Sequence, residues 1–192
     1  MTPLFDPPPQ FLDLGLHMRP ETGADTEFLL LLYLSVRWPE LEATNWPDAA
    51  KHAFLQSQFQ IQTQQYRANY PGMERWVVES GAGPVGRMYL LLTDAELRLV
   101  DLALLPDWRN RGVGTAQLRE LGRQADKLGK PLRLHVEQHN PALRLYRRLG
   151  FEERETAGLY WLMERVRPRD ETDTTGKTQT AANFENQDGN DA

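Results

Sequence analysis

The fold is decided by the stretch LRLVDLALLPDWRNRGVGT, residues 97–115. Its apolar first half predicts a strand, and Gly112 and Gly114 then open a segment whose apolar positions recur at helical spacing. A strand that passes through a Gly-x-Gly turn into a helix leaves several backbone N–H groups without partners and directs them to one point. We therefore expect this turn to hold a phosphate group.

Three kinds of phosphate site place glycines after a strand, and their spacing separates them. A Walker loop requires a lysine directly after its last glycine, but the chain has no lysine between residues 85 and 126. A dinucleotide fingerprint requires a third glycine where Gln117 stands, although Glu137 falls about where the ribose-binding acid would. Antiparallel hairpins are also predicted before the turn, where that fold needs a βαβ repeat. The third pattern, Arg/Gln-x-x-Gly-x-Gly/Ala, is matched by residues 109–114.

Hydrophobic periodicity predicts the remaining elements. Strands are expected at residues 14–19, 75–79, 84–92 and 132–136, and as a closing pair within 151–166. Helices are expected at about residues 22–35, 47–70, 113–128 and 140–149. The chain therefore mixes both kinds of element, with hairpins before the glycine turn and strand–helix alternation after it.

Composition suggests where the folded domain begins and ends. Residues 1–12 are rich in proline, show no signal-peptide pattern and are expected to form a flexible segment. Residues 13–166 are expected to form one domain with a hydrophobic core. From residue 168 onward, six acidic and two basic side chains account for four of the five net negative charges of the chain, and apolar spacing is lost. We therefore expect residues 167–192 to be a disordered acidic tail.

Several classes of protein are disfavoured by the composition. The chain has no cysteine, which excludes disulfides and thiolate metal sites and fits a cytoplasmic protein. Its longest apolar run, residues 28–34, is too short to cross a bilayer, so no membrane partner is expected. The four histidines lack ligand spacing, so no metal is expected. A homodimer stays open.

Charge is concentrated near the glycine turn. Residues 109–148 carry ten basic and three acidic side chains, which suggests an anionic ligand. The segment lacks interleaved aromatic side chains, and the whole chain is acidic, so we expect no nucleic-acid partner.

A second signature follows in residues 140–151, NPALRLYRRLGF. With both signatures in this order, the chain resembles the GCN5-related N-acetyltransferase (GNAT) superfamily over roughly residues 14–166. The resemblance implies an α/β (mixed α+β) fold with a central, twisted, mostly antiparallel sheet of six or seven strands and about four flanking helices. It also implies an enzyme that transfers the acetyl group of acetyl-CoA to a primary amine of a small molecule, protein or peptide, by direct attack through a tetrahedral intermediate. A non-catalytic acyl-CoA sensor with the same fold is the alternative.

The resemblance further implies where acetyl-CoA binds. In the family the pantetheine arm pairs with the strand before the turn, and a backbone N–H near Leu104 would face the thioester carbonyl. The pyrophosphate would lie on the turn, where Gly112 and Gly114 lack a Cβ and let the backbone approach closely. The implied cofactor-binding residues are Leu102, Ala103, Leu104, Arg109, Asn110, Arg111, Gly112, Val113, Gly114, Thr115, Asn140 and Tyr146.

Three residues are candidates for catalysis. Tyr146 is expected to protonate the leaving thiolate, because a phenol of pKa about 10 can donate to a thiolate whose conjugate acid has a pKa of about 8.5. The general base is expected to be Asp101 in the strand before the turn, or Glu137 just past the next strand. Simple alternation places Asp101 on one row with Leu97 and Leu99, but the side it faces depends on whether the strand bulges.

Overall fold

Seven strands form one sheet in the computed structural model, which describes residues 5–166. The strands are β1 (Leu16–Pro20), β2 (Glu74–Ser80), β3 (Gly83–Leu92), β4 (Leu97–Leu104), β5 (Leu132–Glu137), β6 (Phe151–Ala157) and β7 (Tyr160–Arg165). Their order across the sheet is β1-β2-β3-β4-β5-β7-β6. Neighbouring strands are antiparallel except β4 and β5, which run parallel.

Helices cover both faces of this sheet. They are α1 (Gln10–Asp13), α2 (Thr26–Arg37), α3 (Asp48–Asn69), α4 (Val113–Lys127) and α5 (Leu143–Arg148). Single 3-10 turns lie at Gly23–Asp25, Trp38–Leu41 and Pro106–Trp108. The predicted mixed α/β fold with a mostly antiparallel sheet is confirmed.

Successive side chains of β3 point to opposite faces of the sheet. Met88 and Leu90 are fully buried in one apolar cluster with Leu118 and Leu121 of α4. Their neighbour Arg87 points to the other face, where its guanidinium meets α3. The α4 side is therefore the main apolar core, and the α2–α3 side carries polar groups at the sheet surface.

A bulge in β4 changes which side chains face which helix. Leu90 pairs with Leu99 and Tyr89 pairs with Asp101, so Val100 is an extra residue in β4. Since paired residues of neighbouring strands share a face, Leu99 lies on the α4 side and Asp101 lies on the α2–α3 side. The expected single row through Leu97, Leu99 and Asp101 is therefore wrong beyond Val100. An extra residue inverts the alternation.

Strands β4 and β5 separate soon after they begin to pair. Their parallel register runs from Leu97 opposite Leu132 to Leu99 opposite Leu134 and then stops, although β4 continues to Leu104 and β5 to Glu137. The stop coincides with the bulge at Val100. The second half of β4 consequently has an open edge on its β5 side.

The N-terminal segment packs more closely than the sequence predicts. Phe5 and Phe11 are each 1% exposed and lie in the apolar clusters of the domain. The carbonyl of Asp6 also accepts a hydrogen bond from Gln124 Nε2 of α4 at 3.3 Å. The flexible segment expected at residues 1–12 stays a prediction; within it, the two large aromatic side chains bury their rings. The expected acidic tail, residues 167–192, lies outside the described residues.

Within residues 5–166, no helix is both long and apolar enough to span a bilayer.

Candidate active site

The open edge of β4 carries the backbone groups that the sequence assigns to pantetheine. The N–H of Leu105 donates to the carbonyl of Val85 in β3 at 2.9 Å. Successive residues of an antiparallel strand direct their backbone polar groups to alternate edges, so the groups of Leu104 and Leu102 face away from β3. Ala103, opposite Arg87, directs its own groups to β3 instead. Leu102 and Leu104 therefore present the open edge, whereas Ala103 holds the strand in the sheet.

The glycine turn adopts the conformation that an anion site requires. Asn110 has φ +60° and Gly112 has φ +84°, both in the left-handed region. Gly112 is the N-cap residue of α4, and no side chain caps this helix. The first-turn N–H groups, from Val113 to Thr115, are thus directed outward at the positive end of the helix dipole.

The two arginines of the turn have different roles in the structure. Arg109 donates from Nε to the carbonyl oxygen of Leu104 at 2.9 Å and from a terminal nitrogen to the carbonyl of Ser35 at 3.5 Å. The Arg111 guanidinium lies 5.3 Å from the centre of the Trp108 ring. Arg109 therefore connects the turn to β4 and α2, whereas Arg111 stacks on its own loop.

Tyr146 lies on α5 and is 9% exposed. Its ring packs at an angle against Phe151, with 5.7 Å between centroids. Within residues 5–166 its hydroxyl has no hydrogen-bond partner. Burial raises the pKa of Tyr146 to about 12, and the charge of Asp101 adds to the rise. The phenol is therefore protonated at neutral pH.

Asp101 lies in a polar cluster between β3, β4 and α3. Its Oδ2 atom is 2.5 Å from the Arg87 guanidinium and accepts a 3.5 Å hydrogen bond from the Tyr66 hydroxyl. Arg87 also donates to Gln62 Oε1 at 3.0 Å. Burial and the Asp101 charge raise the pKa of Tyr66 far above its ordinary value. The cluster is thus one ion pair surrounded by neutral groups.

Glu137 lies at the end of β5 beside the C-terminus of α2. Its Oε1 atom is 3.2 Å from the Arg37 guanidinium and 3.4 Å from the Tyr160 hydroxyl. The side chain is 42% exposed. Arg37 also pairs with Glu40 at 2.9 Å. Glu137 therefore belongs to an exposed ion network beside the C-terminus of α2, whereas Asp101 is 17% exposed and lies in the polar cluster with Arg87.

Part of the chain matches the sequence model of a known protein family. Residues 71–153 match the sequence model of the acetyltransferase (GNAT) domain. Residues 71–153 thus correspond to a GNAT acetyltransferase domain. No curated protein matches the chain.

Solved structures of GNAT proteins share the fold. The PaiA N-acetyltransferase from Thermoplasma acidophilum, in complex with coenzyme A, is 19% identical, with a TM-score of 0.59 over 78% of this chain and 98% of its own. An acetyltransferase from Thermus thermophilus is 22% identical, with a TM-score of 0.57 over 78% of this chain and 96% of its own. A GNAT-family acetyltransferase from Staphylococcus aureus is 16% identical, with a TM-score of 0.56 over 78% of this chain and 98% of its own. At these identities the similarity establishes the fold.

Asn140 shapes the turn before α5 of the GNAT domain. Its Oδ1 atom accepts the N–H of Ala142 at 2.8 Å, and its carbonyl accepts the N–H of Leu143 at 3.1 Å. The side-chain acceptor is thus occupied by the backbone, as in a cap. Within residues 5–166 the Asn140 side-chain nitrogen makes no hydrogen bond and is available to a ligand.

A cavity of about 400 Å³ lies beside this turn of the GNAT domain. It is lined by Gln138, His139, Asn140, Pro141, Leu143, Arg144 and Arg147. Neither Tyr146 nor the glycine turn lines it. The cavity is therefore separate from the open edge of β4. Within residues 5–166, no three His, Asp or Glu side chains cluster as metal ligands do.

Two site residues in the GNAT domain were missed by sequence reasoning. Arg87 is a basic residue inside an otherwise apolar strand, and this local irregularity could have marked it. Gly86 precedes it, and a Cβ there would lie 2.6 Å from the carbonyl oxygen of Ala103 and 2.5 Å from Leu104 Cδ2. Both residues fix the second half of β4 from its β3 side.

Proposed function

We propose that this protein transfers the acetyl group of acetyl-CoA to a primary amine. The observation that carries this proposal is the open edge of β4. It lies between an uncapped helix N-terminus suited to a pyrophosphate and a buried Tyr146 whose hydroxyl has no partner within residues 5–166. The GNAT domain supports acyl transfer in general; acetyl is proposed as the simplest acyl group.

Substrate binding follows from the backbone geometry. The pyrophosphate accepts hydrogen bonds from the first-turn N–H groups of α4, where the two left-handed residues bring the backbone close. The pantetheine amides pair with the backbone groups of Leu102 and Leu104, like an added strand. This pairing places the thioester near the end of β4, with its carbonyl oxygen toward the N–H of Leu104.

The chemical step is a direct acyl transfer. The neutral amine attacks the thioester carbon, and its nitrogen–carbon bond forms as the carbonyl electrons move to oxygen. The Leu104 N–H stabilises this oxyanion. When the carbon–sulfur bond breaks, the thiolate takes a proton from the Tyr146 hydroxyl, and the ammonium loses a proton to Asp101 or Glu137. Amide and coenzyme A are the products.

The experiment measures coenzyme A release with a panel of amines for the wild type and Tyr146→Phe. We expect kcat to fall about 100-fold in the variant, the scale of general-acid catalysis. The dissociation constant of coenzyme A is the matched control and should not change, because the ring and its packing are retained. An unchanged kcat would remove Tyr146 from its role.

A second candidate function, an acyl-CoA sensor, is supported by one observation. Both candidate bases are already engaged in ion pairs, Asp101 with Arg87 and Glu137 with Arg37. A carboxylate oxygen that is already bonded to a cation is less available to accept a proton from an amine. Tight binding of acetyl-CoA with no turnover on any amine would favour the sensor over the enzyme.

Location and assembly are further proposals. We place the protein in the cytoplasm, where acetyl-CoA is available, without nucleic-acid or membrane partners. Cell fractionation with detection of the native protein tests the location. Light scattering of the purified chain distinguishes a monomer from a homodimer.

A further inference from the structure

The Asp101 carboxylate is held by one of its two oxygens. Arg87 and Tyr66 both contact Oδ2, at 2.5 and 3.5 Å. Within residues 5–166 no donor is bonded to Oδ1. The side chain is 17% exposed, so the carboxylate lies near the surface of its cluster. One oxygen is therefore anchored and the other is available to a ligand.

Arg87 is itself anchored from a second element. The side chain is 6% exposed, and its terminal nitrogen lies between Asp101 on β4 and Gln62 on α3. Its guanidinium also lies 5.1 Å from the centre of the Tyr89 ring. These contacts fix the direction from which the cation approaches Asp101.

We propose that Arg87 and Tyr66 are positioning residues that hold Asp101 by Oδ2 and direct Oδ1 toward the acceptor amine, with Gln62 holding Arg87. Asp101 is then the general base, and it accepts the proton that the attacking nitrogen loses. This inference rests on the proposed acyl transfer. It also identifies the α2–α3 side of the bulge as the side from which the amine enters.

Asp101 fits this role better than Glu137. Asp101 lies on the second half of β4, where the open edge is, and its charge adds to the rise in the pKa of Tyr146. The two groups that move protons in one acyl transfer must both lie near the thioester. Glu137 is held in the exposed network with Arg37 and Tyr160.

Most of the titratable groups around Asp101 are uncharged at neutral pH. The titratable groups that face it come from four elements: Tyr33 on α2, Tyr66 on α3, Arg87 and Tyr89 on β3, and Tyr146 on α5. Burial raises the pKa of each of these tyrosines, so all are neutral at working pH. Behind them, Glu21 accepts the Tyr89 hydroxyl. Arg87 is therefore the cation that sets the field at Asp101.

The test measures the pH dependence of kcat/KM for the full chain with acetyl-CoA and its best amine. Asp101→Asn should lower kcat/KM about 100-fold at pH 7 and recover partly at high pH, where hydroxide can take the proton that the attacking nitrogen loses. Arg87→Met should lower kcat about tenfold with KM unchanged, because Oδ2 of Asp101 is no longer held. Arg87→Lys should restore part of that loss.

A double variant distinguishes a positioning role of Arg87 from a purely structural role. If Arg87 acts through Asp101, then Arg87→Met combined with Asp101→Asn should be no slower than Asp101→Asn alone. Additive losses would instead show that Arg87 acts independently of the base and would overturn the proposal. An unchanged kcat in a folded Arg87→Met variant would also overturn it.

A milder variant covers the case in which Arg87→Met does not fold. Gln62→Met removes one anchor of Arg87 and should lower kcat about threefold with KM unchanged, whereas Gln60→Met, at an exposed position of the same helix, should match the wild type. Equal rates for the two glutamine variants would contradict the anchoring role. A wild type with no turnover on any amine would contradict the proposed function instead, so the two failures are distinguishable.

Discussion

The Nε atom of Arg109 lies 2.9 Å from the carbonyl oxygen of Leu104. This bond joins the first residue of the glycine turn to the last residue of β4. If the turn binds the pyrophosphate and the strand end binds the thioester, as we propose, this arginine sets the separation of the two sites. A charged donor makes this the stronger kind of hydrogen bond.

Arg109→Ala should therefore weaken coenzyme A binding about fivefold, or ~1 kcal/mol, because the strand end and the turn lose their connection. Arg111→Ala is the matched control. Its guanidinium stacks on Trp108 within the same loop and should change the dissociation constant less than twofold. Isothermal titration calorimetry measures both constants. Equal effects of the two variants would contradict the connecting role.

The two glycines of the turn should respond differently to alanine. Gly112 has φ +84°, so Gly112→Ala should destabilise the fold by about 1 kcal/mol and distort the uncapped helix start. Gly114 has no such constraint, and a Cβ there would meet only Leu145 Cδ2, at 3.7 Å, an ordinary contact. Gly114→Ala should thus keep stability and coenzyme A affinity within twofold. Thermal unfolding and titration with coenzyme A check the pair, and the reverse ranking would contradict the assignment of the turn.

Gly86 should prove essential for the shape of β4. Its Cβ would lie 2.6 Å from the carbonyl oxygen of Ala103, so Gly86→Ala must push β3 and β4 apart at the thioester end. We expect a loss of about 2 kcal/mol in unfolding free energy and a marked fall in kcat. Gly81→Ala, in the β2–β3 turn with no atom within 4 Å, should leave both unchanged. Chemical denaturation and steady-state kinetics measure the difference, and a Gly86→Ala enzyme of normal activity would refute this account.

The glycine turn could be predicted from sequence because its signals are local. The positive φ of Gly112 and the helix that follows it are encoded within a few residues. The side that Asp101 faces could not be predicted in this way, because the extra residue at Val100 is defined by pairing with β3. Arg87 likewise reaches Asp101 only across two strands. Local pattern therefore predicted the glycine turn and its helix, whereas the polar cluster around Asp101 depends on long-range pairing.

The N-terminal segment is a second example of packing that the local sequence pattern does not reveal. Proline-rich composition predicted a flexible segment through residue 12, yet Phe5 and Phe11 are each 1% exposed. Composition describes a segment as a whole, whereas two buried aromatic side chains are enough to pack it against the core. Which side chains make this contact can be seen only in the three-dimensional structure.

The buried Asp25 carboxylate should make the free energy of unfolding depend on pH. Its carboxylate accepts two hydrogen bonds from the Arg19 guanidinium, at 2.9 and 2.7 Å, and one from the Thr22 N–H at 2.7 Å. The Arg19 hydrogen bonds, above all, lower the pKa of Asp25 to about 2, against an ordinary value near 3.9. The group is 5% exposed, and it joins β1 to the start of α2.

The sign of the pH effect follows from this lowered pKa. The folded state holds the Asp25 proton more weakly than the unfolded state, so its stabilisation is complete above the ordinary pKa and is lost as pH falls from about 4 to about 2. Asp25→Asn should therefore lose about 2 kcal/mol relative to the wild type at pH 6, and the difference should shrink toward pH 2. Urea unfolding of both proteins at several pH values measures this. A difference that stays constant over that range would show that the Arg19 pair contributes through packing and not through charge.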